Sequence, residues 1–447
     1  MDEIFHHIEA FDCLPFNSEI ATAEVLQEFI ESQSDNIFWL SADYRTDDES
    51  KLAEYNYRNK CWNAGRFVGE AIFKYRDADF KITIKPRFGE KVLFRMLEEI
   101  FNIRITTSAS QHTKNLDWQH YIKRIIAFIW LQKLANANLH GLPKVHINRE
   151  HKGRTIRGRL NVRKSIKSFH QTNEIISVHR EKQIDLTIAQ IIYQAYHIVR
   201  TDFEIGKINI PESAQQAINK VKDSVQSKEH VSDSDYKNIR YKKVYIRWKP
   251  LVDLSWDIIK RKQLSLKQDK AKNGFGFFID MAELWEQYLR SILKKQLFPL
   301  GWLYKNDKEI AYKGYFYQRT LIPDLVFQKE NYVAVWDAKY KRMLGRHIDV
   351  DRSDFFQIHT YILNYLNHKK VKAGGLLYPI STSPNFESYK SPFLINEEGI
   401  KLNFHIDGIE LTEASEAVYP QKQEAEFLRR ILTSIEIKKT GSILSNN

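Results

Sequence analysis

Three charged residues in the last third of the chain, Asp324, Asp337 and Lys339, have types and a spacing that suit chemistry on a phosphate. Side chains alternate along a strand, so Asp337 and Lys339 share a face if residues 332–341 form one. A turn at residues 328–331 would then bring Asp324, on the preceding strand, close to Asp337. Two neighbouring carboxylates repel each other, and a hard divalent cation such as Mg²⁺ relieves that repulsion. Lys339 would orient or activate the attacking water, or neutralise charge that develops on the phosphate.

The alternative interpretation of these residues is a surface hairpin with an ordinary ion pair. That interpretation explains the turn, but it does not explain an acid at the end of the apolar run of residues 333–336. A charged group beside such a run is costly unless it has a partner or a task. The pattern therefore favours a metal site.

Three more polar residues could belong to the same site. Glu286 falls beside the apolar stripe of a predicted helix at residues 280–295, where it either reaches inward as a further metal ligand or stays on the surface. Glu283 is predicted to face solvent on that helix. Gln357 and Tyr361 are one turn apart in the next predicted helix. They could have a functional role, holding the edge of the site or a DNA strand, or a structural one, capping and packing the helix.

The elements that must position these residues follow from periodicity. Residues 66–86 alternate apolar and polar side chains on both sides of residues 76–79, which predicts a hairpin. Helical spacing of apolar residues predicts helices at 90–100 and 117–137. From residue 280 onwards the pattern changes to helix, strand, strand, helix, strand, which is typical of a small α/β domain with a mixed sheet.

Two segments of the middle region are rich in cations. Residues 152–164 are predicted to form a strand with one basic face. This face would bind DNA phosphates or an acidic protein surface equally well, and the alternative is an ordinary face exposed to solvent. Residues 236–249 interleave cations with aromatic side chains, as in a surface that binds nucleic acid, or as in an edge strand protected by lysines. The candidate DNA or partner contacts are Arg154, Arg157, Arg159, Arg163, Lys164, Arg240, Lys242, Lys243 and Arg247.

The composition is that of a folded multidomain protein: 447 residues, 43% hydrophobic, with a formal charge of +12 that favours a polyanionic partner. Two cysteines exclude a disulfide scaffold, and the longest strongly apolar stretch, residues 125–131, is far too short for a membrane span. With no signal peptide in the sequence, we expect a cytoplasmic protein without a membrane partner. We predict an α+β multidomain fold: a β-rich N-terminal domain over residues 1–110, a mainly helical middle region with basic segments over 111–272, and an α/β domain over 273–447.

Taken together, Pro323-Asp324 and Asp337-Ala338-Lys339 in this order of elements resemble the PD-(D/E)xK nuclease superfamily, in which the helical Glu and the Gln-x-x-x-Tyr pair also occur. Further patches resemble the McrC family. They are residues 67–69 before a strand that ends at 84–86, residues 158–166, and Leu284-Trp285-Glu286-Gln287-Tyr288. McrC-like proteins are nuclease subunits of modification-dependent restriction systems, and they stimulate the hydrolysis of a GTP-hydrolysing AAA+ partner that recognises methylated DNA.

The resemblance implies an endonuclease that cleaves foreign or methylated double-stranded DNA with Mg²⁺, or with Mn²⁺ in its place, when an McrB-like AAA+ GTPase oligomer licenses it. Asp324, Asp337 and the carbonyl of Ala338 would hold the metal. The chain itself is expected to bind no nucleotide through a phosphate loop, because in residues 153–160 Arg159 and Leu160 replace the required Lys and hydroxyl residue. Two alternatives stay open, a stand-alone repair or recombination nuclease and a non-catalytic activator or scaffold of an AAA+ NTPase.

Overall fold

The structure, a computed structural model, divides into two compact units. One unit combines Met1–Gln111 with Ala271–Asn447, and the other is His112–Lys270. The residues that the structure describes are 6–16, 19–33, 37–38, 51–101, 118–203, 210–225, 231–266, 276–306, 308–315, 318–341, 350–381, 389–394, 401–411 and 421–435. Within those ranges no helix is both long and apolar enough to cross a membrane.

The N-terminal part of the first unit is rich in strands. Its elements are β1 His6–Phe11, α1 Ala23–Gln33, β2 Ile37–Phe38, β3 Ala53–Asn56, β4 Cys61–Ala64, β5 Phe67–Tyr75, β6 Ala78–Lys85 and α2 Glu90–Phe101. Strands β5 and β6 pair antiparallel, so the predicted hairpin is confirmed, as is the helix predicted at residues 90–100. Phe80, Ile82 and Ile84 alternate along β6 and are buried, which gives this sheet its apolar face.

The second unit is mainly helical around a three-stranded sheet of order β7-β9-β8. Its elements are α3 Trp118–Ala137, β7 Lys144–Gly153, β8 Arg159–Leu160, α4 Val162–Thr172, β9 Ile175–Ile184, α5 Leu186–Asp202, α6 Glu212–Ser224, α7 Asp233–Lys237 and α8 Lys249–Leu266. The helix predicted at residues 117–137 is confirmed by α3, and Trp130 at its centre is fully buried.

Of the two strands predicted for the basic segments, the one at residues 152–164 is confirmed only in part and the one at residues 236–249 is wrong. In residues 152–164, β7 ends at Gly153 and only Arg159–Leu160 pair with β9 before α4 begins. Gly158 interrupts the strand with φ +76°, and a Cβ there would lie 2.5 Å from the carbonyl oxygen of Val178. Residues 236–249 include no strand: α7 ends at Lys237 and a 3₁₀ helix spans Lys243–Trp248.

The C-terminal part of the first unit contains a six-stranded mixed sheet of order β11-β14-β15-β16-β18-β17. The elements are β10 Gly276–Asp280, α9 Met281–Leu297, β11 Leu303–Lys305, β12 Glu309–Lys313, β13 Gln318–Leu321, β14 Leu325–Lys329, β15 Tyr332–Ala338, α10 Arg352–Leu366, β16 Lys370–Ser381, β17 Tyr389–Leu394, β18 Lys401–Leu411 and α11 Gln421–Ile435. The predicted mixed sheet is confirmed, and the predicted helices and strands follow one another in the expected order, but β11 and β12 were not predicted. The strand that was expected to carry Asp324 before the turn at residues 328–331 is instead divided into β13 and β14, with residues 322–324 between them.

Strand β10 belongs to the other sheet of this unit, although it follows the middle region in sequence. It pairs with both β5 and β2, and the five-stranded order is β1-β6-β5-β10-β2. At its end, Asp280 forms an ion pair with Arg66 and accepts a hydrogen bond from the N–H of Ala282 as the N-cap of α9. The first and last predicted domains thus share one unit, and the division of that unit into two domains stays a prediction.

The core beneath the candidate site lies between β15 and α10. Val333 and Val335 on one face of β15 are buried against Ile358 and Ile362 of α10. Strands β15 and β16 pair parallel, and α10 connects them across one face of the sheet. This packing fixes α10 above the strand that carries Asp337.

Candidate active site

Asp324 and Asp337 lie side by side at the ends of β14 and β15. The two strands pair antiparallel with Leu325 opposite Trp336, so the predicted approach of the two acids is confirmed. Asp324 Oδ2 accepts a hydrogen bond of 2.9 Å from the N–H of Ala338, and Asp337 is only 1% exposed. Burial and then the Asp337 carboxylate raise the pKa of Asp324 well above its usual value, and burial also raises the pKa of Asp337. The pair is therefore a site where negative charge is concentrated and needs a cation.

Lys339 supplies one positive charge to this pair. Its Nζ lies 2.7 Å from Asp337 Oδ2 and 3.5 Å from Asp354 Oδ1. Burial alone would lower the pKa of Lys339, but the surrounding carboxylates, Asp337 first, outweigh it and raise the pKa above the ordinary value. Lys339 is therefore a fixed ammonium group at neutral pH.

Helix α10 adds Gln357 and Tyr361 to the site. Lys339 Nζ donates a hydrogen bond of 2.8 Å to Gln357 Oε1, and Gln357 Nε2 donates one of 2.8 Å to the hydroxyl of Tyr361. Tyr361 is 7% exposed, and burial, followed by the Asp337 charge, raises its pKa to about 12. The two residues one helical turn apart thus form a relay of hydrogen bonds that ends at the lysine.

Asp354 is a member of the site that the sequence analysis missed. It is 4% exposed in the first turn of α10, and its Oδ2 lies 2.9 Å from Lys341 Nζ while its Oδ1 faces Lys339. Because it touches both lysines that follow the end of β15, Asp354 holds that end of the strand against the helix. Helical spacing places it one turn before Gln357, and that spacing was the available signal.

Glu286 reaches the site through an arginine. It forms an ion pair with Arg290, whose Nη2 also lies 3.5 Å from the carbonyl oxygen of Asp324. Burial raises the pKa of Glu286 and Arg290 opposes that effect, while the charge of Asp337 adds to it. Glu286 therefore lies near the acidic pair, with its carboxylate already paired to a cation.

The solvent-facing position predicted for Glu283 is wrong. Glu283 is 1% exposed and its Oε1 accepts a hydrogen bond of 2.9 Å from Gln287 Nε2. Helix α9 packs on α2 on one side and on β15 and β11 on others, so its buried face is wider than one apolar stripe.

The donor set suits a hard divalent cation. Within the described residues, no three His, Cys, Asp or Glu side chains come together as a preformed metal cluster. Asp324 and Asp337 nevertheless offer carboxylate oxygens in a setting that raises the pKa of both, and a cation between them would relieve this repulsion. Ala338, whose carbonyl would be the third oxygen donor, lies between Asp337 and Lys339 and is partly exposed.

The nine predicted cationic contacts all lie in the second unit, whereas the acidic site lies in the first. All nine side chains are exposed. Lys164 forms an ion pair with Glu150, and Lys242 Nζ lies 3.4 Å from the carbonyl oxygen of Lys144. Their role in binding DNA or a partner stays a prediction.

Comparison with known proteins places the chain in a family. This chain is similar to a chain in the solved structure of the refined half-complex of Thermococcus gammatolerans McrB AAA+ hexamers with bound McrC. The two chains are 15% identical, the match covers 96% of this chain and 100% of the other, and the TM-score is 0.48. A chain in the structure of the T. gammatolerans McrBC complex is 14% identical. The match covers 65% of this chain and 88% of the other, with a TM-score of 0.34. No curated protein matches the chain. The family model for the McrBC 5-methylcytosine restriction system component matches residues 63–379, well over half of the sequence. The chain therefore belongs to the family of McrBC 5-methylcytosine restriction system components.

Proposed function

We propose that this chain is the DNA endonuclease subunit of an McrBC-type restriction system, with the PD-(D/E)xK site at Asp324, Asp337 and Lys339. The observation that supports this proposal best is the pair of neighbouring acids, buried at the ends of two strands and met by a single ammonium group. Carboxylates in such a setting are typical of sites that bind a metal and hydrolyse phosphodiesters.

Asp324, Asp337 and the carbonyl of Ala338 would hold Mg²⁺, for which Mn²⁺ could substitute. When bound, the ion would act as a Lewis acid on the phosphate and lower the pKa of a bound water. Glu286 lies near enough for its charge to act on Asp324, but it would have to leave Arg290 to become a ligand.

Lys339 would serve as a positioned cation. Its raised pKa favours a role in neutralising charge on the phosphate over a role in taking a proton from water. Gln357 and Tyr361 would hold the lysine at the correct angle, since Gln357 accepts from its ammonium group and donates to the tyrosine.

Family membership supports a partner that supplies the energy. An McrB-like AAA+ GTPase oligomer would recognise modified DNA and license cutting, and this chain would stimulate its hydrolysis. The exposed cations of the second unit would contact that partner or the DNA.

The test is a plasmid cleavage assay with Mg²⁺, with and without the McrB-like protein of the same host and GTP, on methylated and unmethylated DNA. Asp337→Ala is expected to abolish cutting and to leave partner binding and stimulation of GTP hydrolysis intact. Asp223→Ala is the matched control, because Asp223 is an exposed helical acid on α6.

Each outcome decides between functions. Cutting that needs the partner, the nucleotide and Asp337 supports the proposal. Cutting by the chain alone would favour the stand-alone nuclease, whereas no cutting with faster hydrolysis by the partner would leave the activator. Full cutting by Asp337→Ala would refute the site.

A further inference from the structure

A small hairpin leads directly into the candidate site. Strands β12 and β13 pair only with each other among the described strands and form a two-stranded sheet. An isolated two-stranded ribbon buries little and is marginally stable in water. Leu321 at its end is 8% exposed within the core beneath the site, and Asp324 follows three residues later.

The hairpin carries exposed aromatic side chains. Tyr312 is 57% exposed and Tyr315 is 94% exposed, and Ile310 on the same ribbon is 50% exposed. Tyrosine combines an apolar ring with a hydroxyl, and it is therefore suited to a surface that is covered when a polar ligand binds. Large exposed rings gathered on one element indicate such a surface.

The charge of the hairpin is complementary to phosphate. Residues 308–321 contain Lys308, Lys313 and Arg319 against a single carboxylate, Glu309. All three cations are exposed, and Arg319 lies opposite Tyr312 in the strand register. The major groove of B-DNA admits a two-stranded ribbon, and lysine and arginine at its edges then meet the flanking phosphates.

We propose that the β12–β13 hairpin is a DNA-binding ribbon that enters a groove of the duplex next to the bond to be cut. This inference rests on the proposed nuclease function, because it assigns DNA as the occupant. Gln318 is six residues from Asp324, so the start of β13 is within about 20 Å of the proposed catalytic acid. At about 3.4 Å per phosphate along one strand, a contact made from that point falls within roughly six phosphates of the scissile one.

The experiment measures binding of the full-length chain to a short DNA duplex as a function of salt, with divalent ions omitted so that nothing is cut. The variant is Lys308→Ala/Lys313→Ala. Its matched control is Lys51→Ala/Lys91→Ala, which removes the same charge from two exposed lysines elsewhere in the first unit. Tyr315→Ala is compared in the same way with Tyr57→Ala, since Tyr57 is 85% exposed.

The hairpin variant is expected to bind more weakly and to lower the slope of log K against log salt by about 1.8, which is about 0.9 for each lost phosphate contact. The control should keep the wild-type slope. Tyr315→Ala should weaken binding about five-fold, as truncation of a tyrosine covered in an interface does, and Tyr57→Ala should not. All four variants should keep the wild-type melting temperature, because the substituted side chains are exposed.

Two results would overturn the proposal. If the wild-type chain binds DNA and cuts it through Asp337, but the hairpin variants match their controls, the hairpin is not a DNA-binding element and the nuclease function stands. If the hairpin variants bind DNA normally and lose the McrB-like protein instead, the surface belongs to that protein. A wild-type chain that neither binds nor cuts DNA with its partner would refute the proposed function itself.

Discussion

Arg87 and Asp12 form a buried ion pair whose energy can be tested directly. The side chains are 5% and 0% exposed, and Arg87 Nε lies 3.7 Å from Asp12 Oδ2. The three guanidinium nitrogens of Arg87 donate no hydrogen bond to any described residue; the guanidinium instead lies 4.5 Å from the ring centre of Tyr340. Tyr340 directly follows Lys339, so this pair supports the strand end that carries the candidate lysine.

Removing one partner should be far worse than removing both. Arg87→Met leaves the Asp12 carboxylate buried without a cation, which should lower the free energy of unfolding by about 3–5 kcal/mol. Asp12→Asn leaves the guanidinium equally uncompensated. The double variant Asp12→Asn/Arg87→Met buries no charge, and the introduced amide keeps an oxygen for the 2.6 Å hydrogen bond that the N–H of Arg87 donates to Asp12 Oδ1. We expect the double variant within about 1.5 kcal/mol of the wild type.

The pH dependence follows from the same carboxyl. Burial raises the pKa of Asp12 above its unfolded value, although Arg87 opposes this effect. A carboxyl with a raised folded-state pKa favours folding when protonated, and this benefit is lost as the pH rises through that pKa. In Arg87→Met the pKa of Asp12 should rise further. The stability that this variant loses relative to the wild type should therefore become smaller as the pH falls toward the unfolded-state pKa of an aspartate, about 4. The double variant lacks the group and should show no such trend.

Urea unfolding would measure these changes in the free energy of unfolding. Hydrogen exchange of the amides in β1 and β6 would show whether the changes arise in the strands that precede Asp12 and Arg87. Lys85→Met is the matched control, because Lys85 pairs with Glu9 on the same strands but the two side chains are 40% and 61% exposed. It should change stability by less than about 1 kcal/mol. If the two single losses simply add in the double variant, Asp12 and Arg87 are not energetically coupled and the reasoning is wrong.

Three further predictions concern the site and its support. Gln357→Leu should lower single-turnover cutting by about ten-fold, because Lys339 loses one charge-assisted hydrogen bond; unchanged cutting would show that this contact is dispensable. Glu424→Gln should lower stability by roughly 2 kcal/mol in thermal unfolding, since the carboxylate is 7% exposed and pairs with Arg95, which keeps Glu99 as its other partner; a loss below about 1 kcal/mol would contradict a buried pair. Gly375→Ala should cost roughly 4 kcal/mol or more and reduce the soluble yield, because a Cβ would lie 1.8 Å from the carbonyl oxygen of His405; a normally folded variant would refute this contact.

Local sequence patterns predicted the elements whose contacts join residues close together in the sequence, namely hairpins and helices. The β5–β6 hairpin and the β14–β15 hairpin each follow from alternation around a short turn. The approach of Asp324 to Asp337 was predictable for this reason, because the turn between β14 and β15 leaves little freedom in register. Helices α2, α3, α9 and α10 follow from apolar spacing.

Long-range pairing and the width of a buried face were not predictable. Strand β10 reaches β5 and β2 after the whole of the second unit, and no local signal specifies such partners. Alternation over residues 156–160 predicted a continuous strand, but Gly158 takes a positive φ that only the folded backbone reveals. Glu283 was assigned to solvent from one apolar stripe, yet α9 is covered on more than one side.

Asp354 illustrates why a catalytic motif predicts less than the full site. An acid in the first turn of a helix is ordinarily explained by the helix dipole, so only its spacing of one turn from Gln357 gave a signal, and nothing in the sequence connected it with Lys339. The contact arises because β15 and β16 pair parallel, and the connection between parallel strands must place α10 across the sheet. Only then does the start of α10 meet the two lysines beyond the end of β15. Residues on the same strand as the motif can be assigned to the site from their spacing in the sequence. For residues that contact the motif from another element, the assignment depends on how the connection between the parallel strands places that element.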